Sequence, residues 1–167
     1  MAGSGPVEDQ ASGRVLELGR PESFDDFFRR EYRPLLRLAW SLTGRRDVGE
    51  ELVQDVMLTV HERWAAVGRY ESPGGFARRV LLNDAASLAR RRDAERRALD
   101  RVPPADPAPP PEPPPADDFW AALRALPERQ AQAVALHYLE DRSVADIAEV
   151  LGIAGNTVKV HLHRGRL

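Results

Sequence analysis

The sequence predicts an all-α protein made of two small helical domains joined by a Pro-rich extended linker, the second ending in a helix-turn-helix. Apolar residues recur at helical spacing along most of the chain, and no stretch alternates apolar and polar residues as a half-buried strand would. Nine prolines interrupt this pattern within residues 102–116. The 167 residues therefore divide into a tail at 1–21, domains at 22–92 and 117–167, and a linker at 93–116.

Three amphipathic helices are predicted for the first domain. Ser23 is a suitable N-cap for the first of them, and Gly44 ends it. The second helix begins near Asp47 and carries an apolar stripe over Leu52–Trp64. The third begins at Pro73, because the N–H groups in the first turn of a helix have no partner within the helix and proline lacks one. We expect the apolar faces of these helices to bury one small core.

The tail and the linker lack this helical pattern. Residues 1–21 are polar and contain Gly and Pro, which predicts a disordered tail. Proline favours an extended and stiff chain, so the 24 residues at 93–116 reach about 70 Å. A surface loop is the alternative, but so long a loop is unusual inside a compact domain. We interpret the segment as a tether.

The second domain is predicted to be a helical bundle in which Pro127 restarts a helix and residues 143–167 form a helix-turn-helix. Ser143 is an N-cap, Gly152 suits a helix end that needs a positive φ, and Val158 fills the angle between the two helices. The second helix of such a motif enters the major groove of DNA. An ordinary helical hairpin is the alternative reading of this segment alone.

Composition narrows the classes of protein. There is no cysteine, no apolar run near eighteen residues and no apolar signal-peptide core, so we expect a cytoplasmic protein without membrane insertion. We find no nucleophile–base pair, metal cluster or phosphate loop, and therefore expect neither enzymatic activity nor a cofactor. The net charge of −2 hides alternating blocks, of which residues 73–101 carry eight arginines against four acids. Separate basic and acidic faces favour more than one partner, although solvated helix faces would explain any single block.

Five segments in a fixed order carry a family resemblance. The first domain contains YRPLLRLAWSLTG, EELVQDVMLTVHERW and FARRVLLNDAASLARRR, and the second contains LRALPERQAQAVALHYLEDRSVADIAEVLG and TVKVHLHRGRL. In this order, with a linker between, the chain resembles the extracytoplasmic-function (group IV) sigma factors of bacterial RNA polymerase. The first three segments are similar to region 2 of that family, and the last two to region 4.

The resemblance implies a sigma factor that binds core RNA polymerase and directs promoter recognition and DNA opening. Region 2 would recognise and melt the −10 element, region 4 would bind the −35 element, and an anti-sigma factor would be a further partner. The two promoter elements lie about 50–60 Å apart, or roughly one and a half turns of DNA. The linker is long enough to span that distance.

The third helix holds the residues that the resemblance assigns to the −10 element. Asn83 stands where the family captures a flipped base, and an amide can both donate to and accept from a base edge. The arginines would neutralise phosphates. Without the family, an ordinary surface amide would be the better reading of Asn83. The predicted −10 residues are Arg78, Arg79, Asn83, Arg90, Arg91 and Arg92.

The second helix of the helix-turn-helix holds the residues that the resemblance assigns to the −35 element. They are Thr157, Lys159, His161, His163 and Arg164. Lys159 and Arg164 are the best suited to phosphates or guanine edges. The two histidines also suggest a metal pair, but residues two apart do not share a helix face, so we disfavour that alternative.

Several positions depart from the family pattern. Ala154 stands where a Ser cap is usual, and losing such a cap costs about 0.5–2 kcal/mol; Asn156 is a candidate cap for a shorter helix. Val160 replaces a small polar residue and His161 an arginine. The chain also stops at Leu167, before the recognition helix normally ends. We expect these changes to affect the −35 readout more than the fold.

The second helix is expected to contact polymerase. Its outward polar positions that match the family are Glu51, Gln54, Asp55 and Arg63. An acidic helix suits a protein surface better than DNA. Two other functions remain open from the residues: a stand-alone transcriptional regulator that binds palindromic DNA as a dimer, and an adaptor that holds other helices and needs no DNA.

Overall fold

The computed structural model describes residues 22–99 and 118–165, and within them it forms eight α-helices and no β-strand, which confirms the predicted all-α class. The predicted tail and most of the predicted linker lie outside the described residues. None of the described helices combines the length and apolar character needed to cross a membrane. The helices are α1 (Phe24–Thr43), α2 (Arg46–Glu62), α3 (Trp64–Val67), α4 (Pro73–Leu99), α5 (Asp118–Ala125), α6 (Glu128–Tyr138), α7 (Val144–Leu151) and α8 (Gly155–Arg164).

The first helix group, α1–α4, forms as its sequence signals predict. The Ser23 hydroxyl accepts a hydrogen bond from the N–H of Asp26 and so caps α1, and Gly44 ends that helix with φ 66°. Helix α2 ends at Glu62, before the predicted stripe ends at Trp64, and α3 follows as one separate turn, so this group has four helices where three are predicted. Side chains from α1, α2 and α4 meet in a core whose fully buried members include Phe27, Leu35, Leu38, Val53, Val56, Val60 and Leu81.

The second helix group, α5–α8, contains the predicted helix-turn-helix. Ser143 and Asp146 form a capping box at the start of α7, and Gly152 ends α7 with φ 64°. Val158 at the base of α8 is fully buried, as predicted, and packs into the same core as Ile147. These contacts fix the angle at which α8 leaves the bundle.

The two helix groups lie against each other. Helix α4 contacts α7, and α1 contacts α5 and α6. Leu123 of α5 is fully buried in a core that is continuous with that of the first group. At Gly44 an added Cβ would lie 2.9 Å from Nε of Arg124, so the turn after α1 also meets the second group closely. The sequence predicts two domains joined by a tether, and in this structure the two groups share an interface.

Two further helix boundaries differ from the prediction. Helix α4 continues to Leu99, past the predicted domain end at residue 92, because residues 93–99 are mostly good helix formers. Helix α8 has Ala154 as its N-cap residue, without a side-chain cap, and the Ala154 carbonyl accepts the N–H of Val158. Asn156 therefore lies inside the first turn of α8, and the predicted shorter helix capped by Asn156 is wrong.

Candidate nucleic-acid interface

Helix α4 presents most of the predicted −10 residues on its surface. Arg79, Asn83, Arg90 and Arg91 are exposed and Arg92 is half-buried. Arg79 and Asn83 are four residues apart and Arg90 lies two turns beyond Asn83, so these three share one face of the helix. The amide of Asn83 is thus placed between two guanidinium groups.

Arg78 is the exception, because its side chain is only 2 % exposed. Its Nε and Nη2 donate to the two carboxylate oxygens of Glu140, at 2.5 and 2.8 Å. Its Nη1 donates to Glu31 Oε2 at 2.8 Å and to the Gly74 carbonyl at 3.0 Å. One guanidinium therefore joins a carboxylate of α1 to one in the loop after α6. In this arrangement Arg78 has no free face for a phosphate.

The two carboxylates determine the ionisation of this cluster. Burial by itself would lower the pKa of Arg78, but the hydrogen bonds and charges of Glu140 and Glu31 outweigh it and raise that pKa. Burial would likewise raise the pKa of Glu31, yet the charge and hydrogen bonds of Arg78 and Arg30 hold it below its ordinary value. Arg78 and Glu31 are consequently both ionised at neutral pH.

Two further arginines of α4 also bind the second helix group. Arg79 donates from Nε to the Val150 carbonyl at 3.1 Å and from Nη2 to the Glu149 carbonyl. Arg90 donates to Glu128 at 2.8 Å across an exposed ion pair. Asn83, Arg91 and Arg92 make no such hydrogen bond within the described ranges. The basic face of α4 is thus partly covered.

Helix α8 leaves most of the predicted −35 residues exposed. Thr157, Lys159, His163 and Arg164 are all exposed on it. His161 is half-buried, and its Nδ1 is enclosed without a hydrogen-bond partner among the described residues. Its ring therefore turns toward the protein more than its neighbours do. Among those residues, no three potential ligands lie together as a metal site would need.

Helix α2 carries the predicted polymerase-facing residues on its outer side. Glu51, Gln54 and Asp55 are exposed, and the exposed Arg63 lies with its guanidinium 5.6 Å from the centre of the Phe76 ring. Glu51 and Asp55 also line a groove of about 360 Å³ between α2 and α4. Asp84 lines it too, and burial together with the Asp55 charge raises the pKa of Asp84.

Two residues central to this region, Glu31 and Glu140, were not predicted from the sequence. Glu31 had a signal, because it occupies a position between Phe27 and Leu35 in the buried stripe of α1. An acid in such a stripe needs a buried cation as partner. Glu140 lies in a short loop of charged residues, and nothing local distinguishes it from Asp141.

Comparison with protein families gives two matches in this order along the chain. Residues 27–95 match the family model for Sigma-70 region 2, and residues 116–167 match the model for Sigma-70 region 4. Together they cover both helix groups. The chain belongs to the sigma-70 family, and its relatives place it in the extracytoplasmic-function group.

Those relatives include an ECF RNA polymerase sigma factor SigM of Mycobacterium tuberculosis, 34 % identical over 147 residues that span 86 % of this chain and 74 % of that protein. An ECF sigma factor SigE of Mycolicibacterium smegmatis is 32 % identical over 86 % of this chain, which spans only 59 % of that relative's length. These relatives are transcription initiation factors, and the chain is accordingly a promoter-recognising sigma factor and not an enzyme.

A solved structure of similar fold is the sigma factor RpoE of Bartonella quintana in complex with the anti-sigma factor NepR. It matches with a TM-score of 0.69 and 26 % identity, over 86 % of this chain and 91 % of that one. The anti-anti-sigma factor PhyR of the same organism matches over 86 % of this chain with a TM-score of 0.57 and 14 % identity, which shows a shared fold alone.

Proposed function

We propose that this sigma factor contacts the −10 element through α4 and the −35 element through α8, while α2 holds core RNA polymerase. The observation that carries the proposal is the presence of regions 2 and 4, in that order, in one chain. Each promoter element then has one helix with exposed polar residues to receive it. Because RNA polymerase works in the cytoplasm, the chain would act there.

The exposed face of α4 supports the −10 assignment. Asn83 is unpaired toward solvent within the described chain and lies on the same face as Arg79 and Arg90. An amide between two cations can hold a flipped base by its edge while the cations hold the adjoining phosphates. Arg91 and Arg92 extend the positive charge toward the end of the helix.

The −35 assignment depends on α8 as a recognition helix. Its base is fixed by the buried Val158, so that the exposed Thr157 and Lys159 of its first turns project away from the bundle. Residues near the start of a recognition helix contact base edges. His163 and Arg164 lie further along the exposed side of α8 and are suited to phosphates.

Two protein partners are part of the proposal. Core RNA polymerase would dock on the acidic outer face of α2, where Glu51, Gln54 and Asp55 are exposed and Arg63 marks the end of the helix. An anti-sigma factor is the second, because the structurally similar RpoE is found with one.

Run-off transcription with purified core polymerase on a library of promoter fragments tests the function. We expect position-specific initiation that depends on the added chain. Strong duplex binding by the chain alone, without initiation, would instead favour a stand-alone regulator. Initiation that is unchanged when the chain is omitted, together with no duplex binding by the chain, would refute both functions.

Matched variants test the two DNA-binding helices. Asn83→Ala should abolish opening of the −10 element, as seen by permanganate reactivity, whereas Glu95→Gln on an exposed part of α4 should leave it intact. Lys159→Ala with Arg164→Ala should weaken use of promoters that depend on a −35 element, with the exposed Arg29→Ala on α1 as control. Unchanged promoter use in both cases would exclude these site assignments.

A further inference from the structure

Helix α8 turns one side toward the bundle and presents the opposite side to solvent. Val158 is fully buried, and His161 and Leu162 on the same side are half-buried. Because an α-helix has about 3.6 residues per turn, the direction opposite Val158 belongs to the residues two before and two after it, Asn156 and Val160. Both are exposed. Neither is among the residues so far assigned to the −35 element, although they occupy the middle of the exposed side.

Val160 is an apolar residue in the middle of a polar surface. It is 46 % exposed, and its neighbours one turn away on the same side are the polar residues Asn156, Thr157, His163 and Arg164. A single exposed apolar side chain needs no explanation by itself. This one lies on the helix proposed to enter the major groove, where the 5-methyl group of thymine is the apolar feature of the base edges. Contact between Val160 and that methyl group removes both from water.

Asn156 places a hydrogen-bonding group beside Val160. The two residues are four apart, so their side chains are neighbours on the helix surface. Helix α8 begins after Ala154 without a side-chain cap, so the amide of Asn156 is not engaged at the helix end. An asparagine amide can donate to N7 and accept from N6 of adenine, both of which lie in the major groove. Residues near the start of a recognition helix are those that reach base edges.

The spacing of the two residues suits neighbouring base pairs. Four residues advance an α-helix by about 6 Å, and successive base pairs are about 3.4 Å apart. Asn156 and Val160 therefore reach bases that are one or two base pairs apart. Arg164 lies four residues further along the same side, where a guanidinium can bind the phosphates that fix the register of the helix.

We propose that Asn156 and Val160 read the sequence of the −35 element. Asn156 binds an adenine through its amide, and Val160 contacts the 5-methyl group of a thymine one or two base pairs away. This inference rests on the proposed function for the docking of α8 in the major groove, and it adds which bases α8 selects. His161 contributes less to this readout, because its ring turns toward the protein.

Selection from randomised promoters tests the preference. Holoenzyme assembled from this chain and core polymerase transcribes promoters from the run-off assay in which the −35 element has been randomised, and the transcribed promoters are sequenced. We expect an adenine and a thymine one or two base pairs apart. Val160→Ser should relax the thymine position and keep the adenine, and Asn156→Ala should do the reverse. Circular dichroism establishes that each variant remains helical.

Base analogues then remove single groups from the selected promoter, with the Kd of holoenzyme for fluorescein-labelled DNA as the readout. Uracil in place of thymine removes only the 5-methyl group and should weaken binding about fourfold, the effect of one buried methyl group. Adenine that lacks N7 (7-deazaadenine) should weaken binding about tenfold, within the range of one bidentate contact. The uracil effect should vanish in Val160→Ser and the deazaadenine effect in Asn156→Ala, because each variant already lacks the contact.

Leu99→Ser is the matched control for Val160→Ser. Leu99 is another exposed apolar residue, 70 % exposed at the end of α4, and its replacement should leave the selected −35 sequence unchanged.

The inference is overturned if uracil has no effect at any thymine of the element, if Val160→Ser remains equally sensitive to uracil, or if neither variant alters the selected sequence. An effect at only one of the two positions would overturn the assignment of the other. Initiation that depends on the chain would leave the sigma function standing in all these cases. Absence of chain-dependent initiation would overturn the proposed function and this inference together.

Discussion

Arg78 shows how one guanidinium joins two parts of a molecule. Its planar fork reaches Glu140 with two nitrogens and Glu31 and the Gly74 carbonyl with the third. A lysine would offer a single ammonium at this position and could not bind one carboxylate in a bidentate manner. Removing either Glu31 or Glu140 leaves the buried Arg78 guanidinium with fewer partners, so either change should lower the free energy of unfolding.

Glu31→Gln should destabilise the protein by about 2 kcal/mol, the scale of hydrogen bonds to charged groups. The amide keeps an acceptor for Arg78 but loses the charge that balances its guanidinium. Urea unfolding at neutral pH measures the difference. Glu50→Gln, which affects only an exposed ion pair with Arg46, should shift the midpoint hardly at all; equal effects of the two changes would contradict a special role for Glu31.

The same residue gives the stability a pH dependence of known sign. The folded pKa of Glu31 is below its ordinary value of 4.5, so its contribution is complete above that value and is lost as pH falls through the folded pKa. The pKa of Asp84 is raised by burial, so protonating Asp84 works in the opposite direction. We expect acid to weaken the unaltered chain more than Glu31→Gln when unfolding midpoints are compared down to about pH 3.

Single residues differ in how far the sequence could have predicted them. The exposed positions of Asn83, Lys159 and Arg164 follow from helical periodicity, and the buried Val158 from the spacing of the helix-turn-helix. Arg78 follows Ala77 on the apolar side of α4, and its burial depends on acids far away in sequence. Periodicity alone could not have supplied that partner.

At the scale of the helices, the residues at a helix end determine where that helix begins or stops. Ser143 caps α7 with a complete capping box, whereas Ala154 begins α8 without any side-chain bond. The backbone at Ala154 is already extended, with φ −67° and ψ 145°, as an N-cap requires. Only the hydroxyl is absent from this position.

Ala154→Ser should therefore stabilise the protein by about 0.5–1 kcal/mol, and Ser143→Ala should destabilise it by about 1 kcal/mol. Thermal unfolding followed by circular dichroism measures both. Ala145→Ser, at an exposed position within α7, adds the same hydroxyl where no cap can form and should be neutral or slightly unfavourable. A gain at Ala145 equal to that at Ala154 would attribute the effect to something other than capping.

The sequence signals predicted where helices occur better than they predicted how long each helix is. Ser23, Gly44, Pro73 and Gly152 each mark an end that the structure has. The extension of α4 to Leu99 was not predicted, because a change in composition does not mark where a helix ends. Residues 93–99 are all exposed and four of the seven are charged, yet their helix propensity continues the helix without a core.

At the scale of the whole molecule, no sequence signal indicated that the two helix groups would meet. The interface joins Arg78 to Glu140 across 62 positions, and Arg79 to Val150 across 71. Each of these residues also reads as an ordinary surface charge or core residue of its own helix. Proline content predicted how far the groups could separate, which is a different quantity from their preferred separation.

A shared interface predicts that the two groups unfold together. Trp40 and Trp64 lie in the first group and Trp120 in the second, so Trp→Phe changes give variants whose fluorescence reports one group at a time. With Glu140 in place, both reporters should give the same urea midpoint. With Glu140→Gln, the midpoint of the Trp120 signal should move to lower urea while the midpoint of the first group's signal changes less, because the smaller group loses its buried partner.

Midpoints that already differ with Glu140 present would show that the contact is too weak to couple the groups. Midpoints that coincide in both backgrounds would place the coupling elsewhere, in the apolar contacts of α1 with α5 and α6.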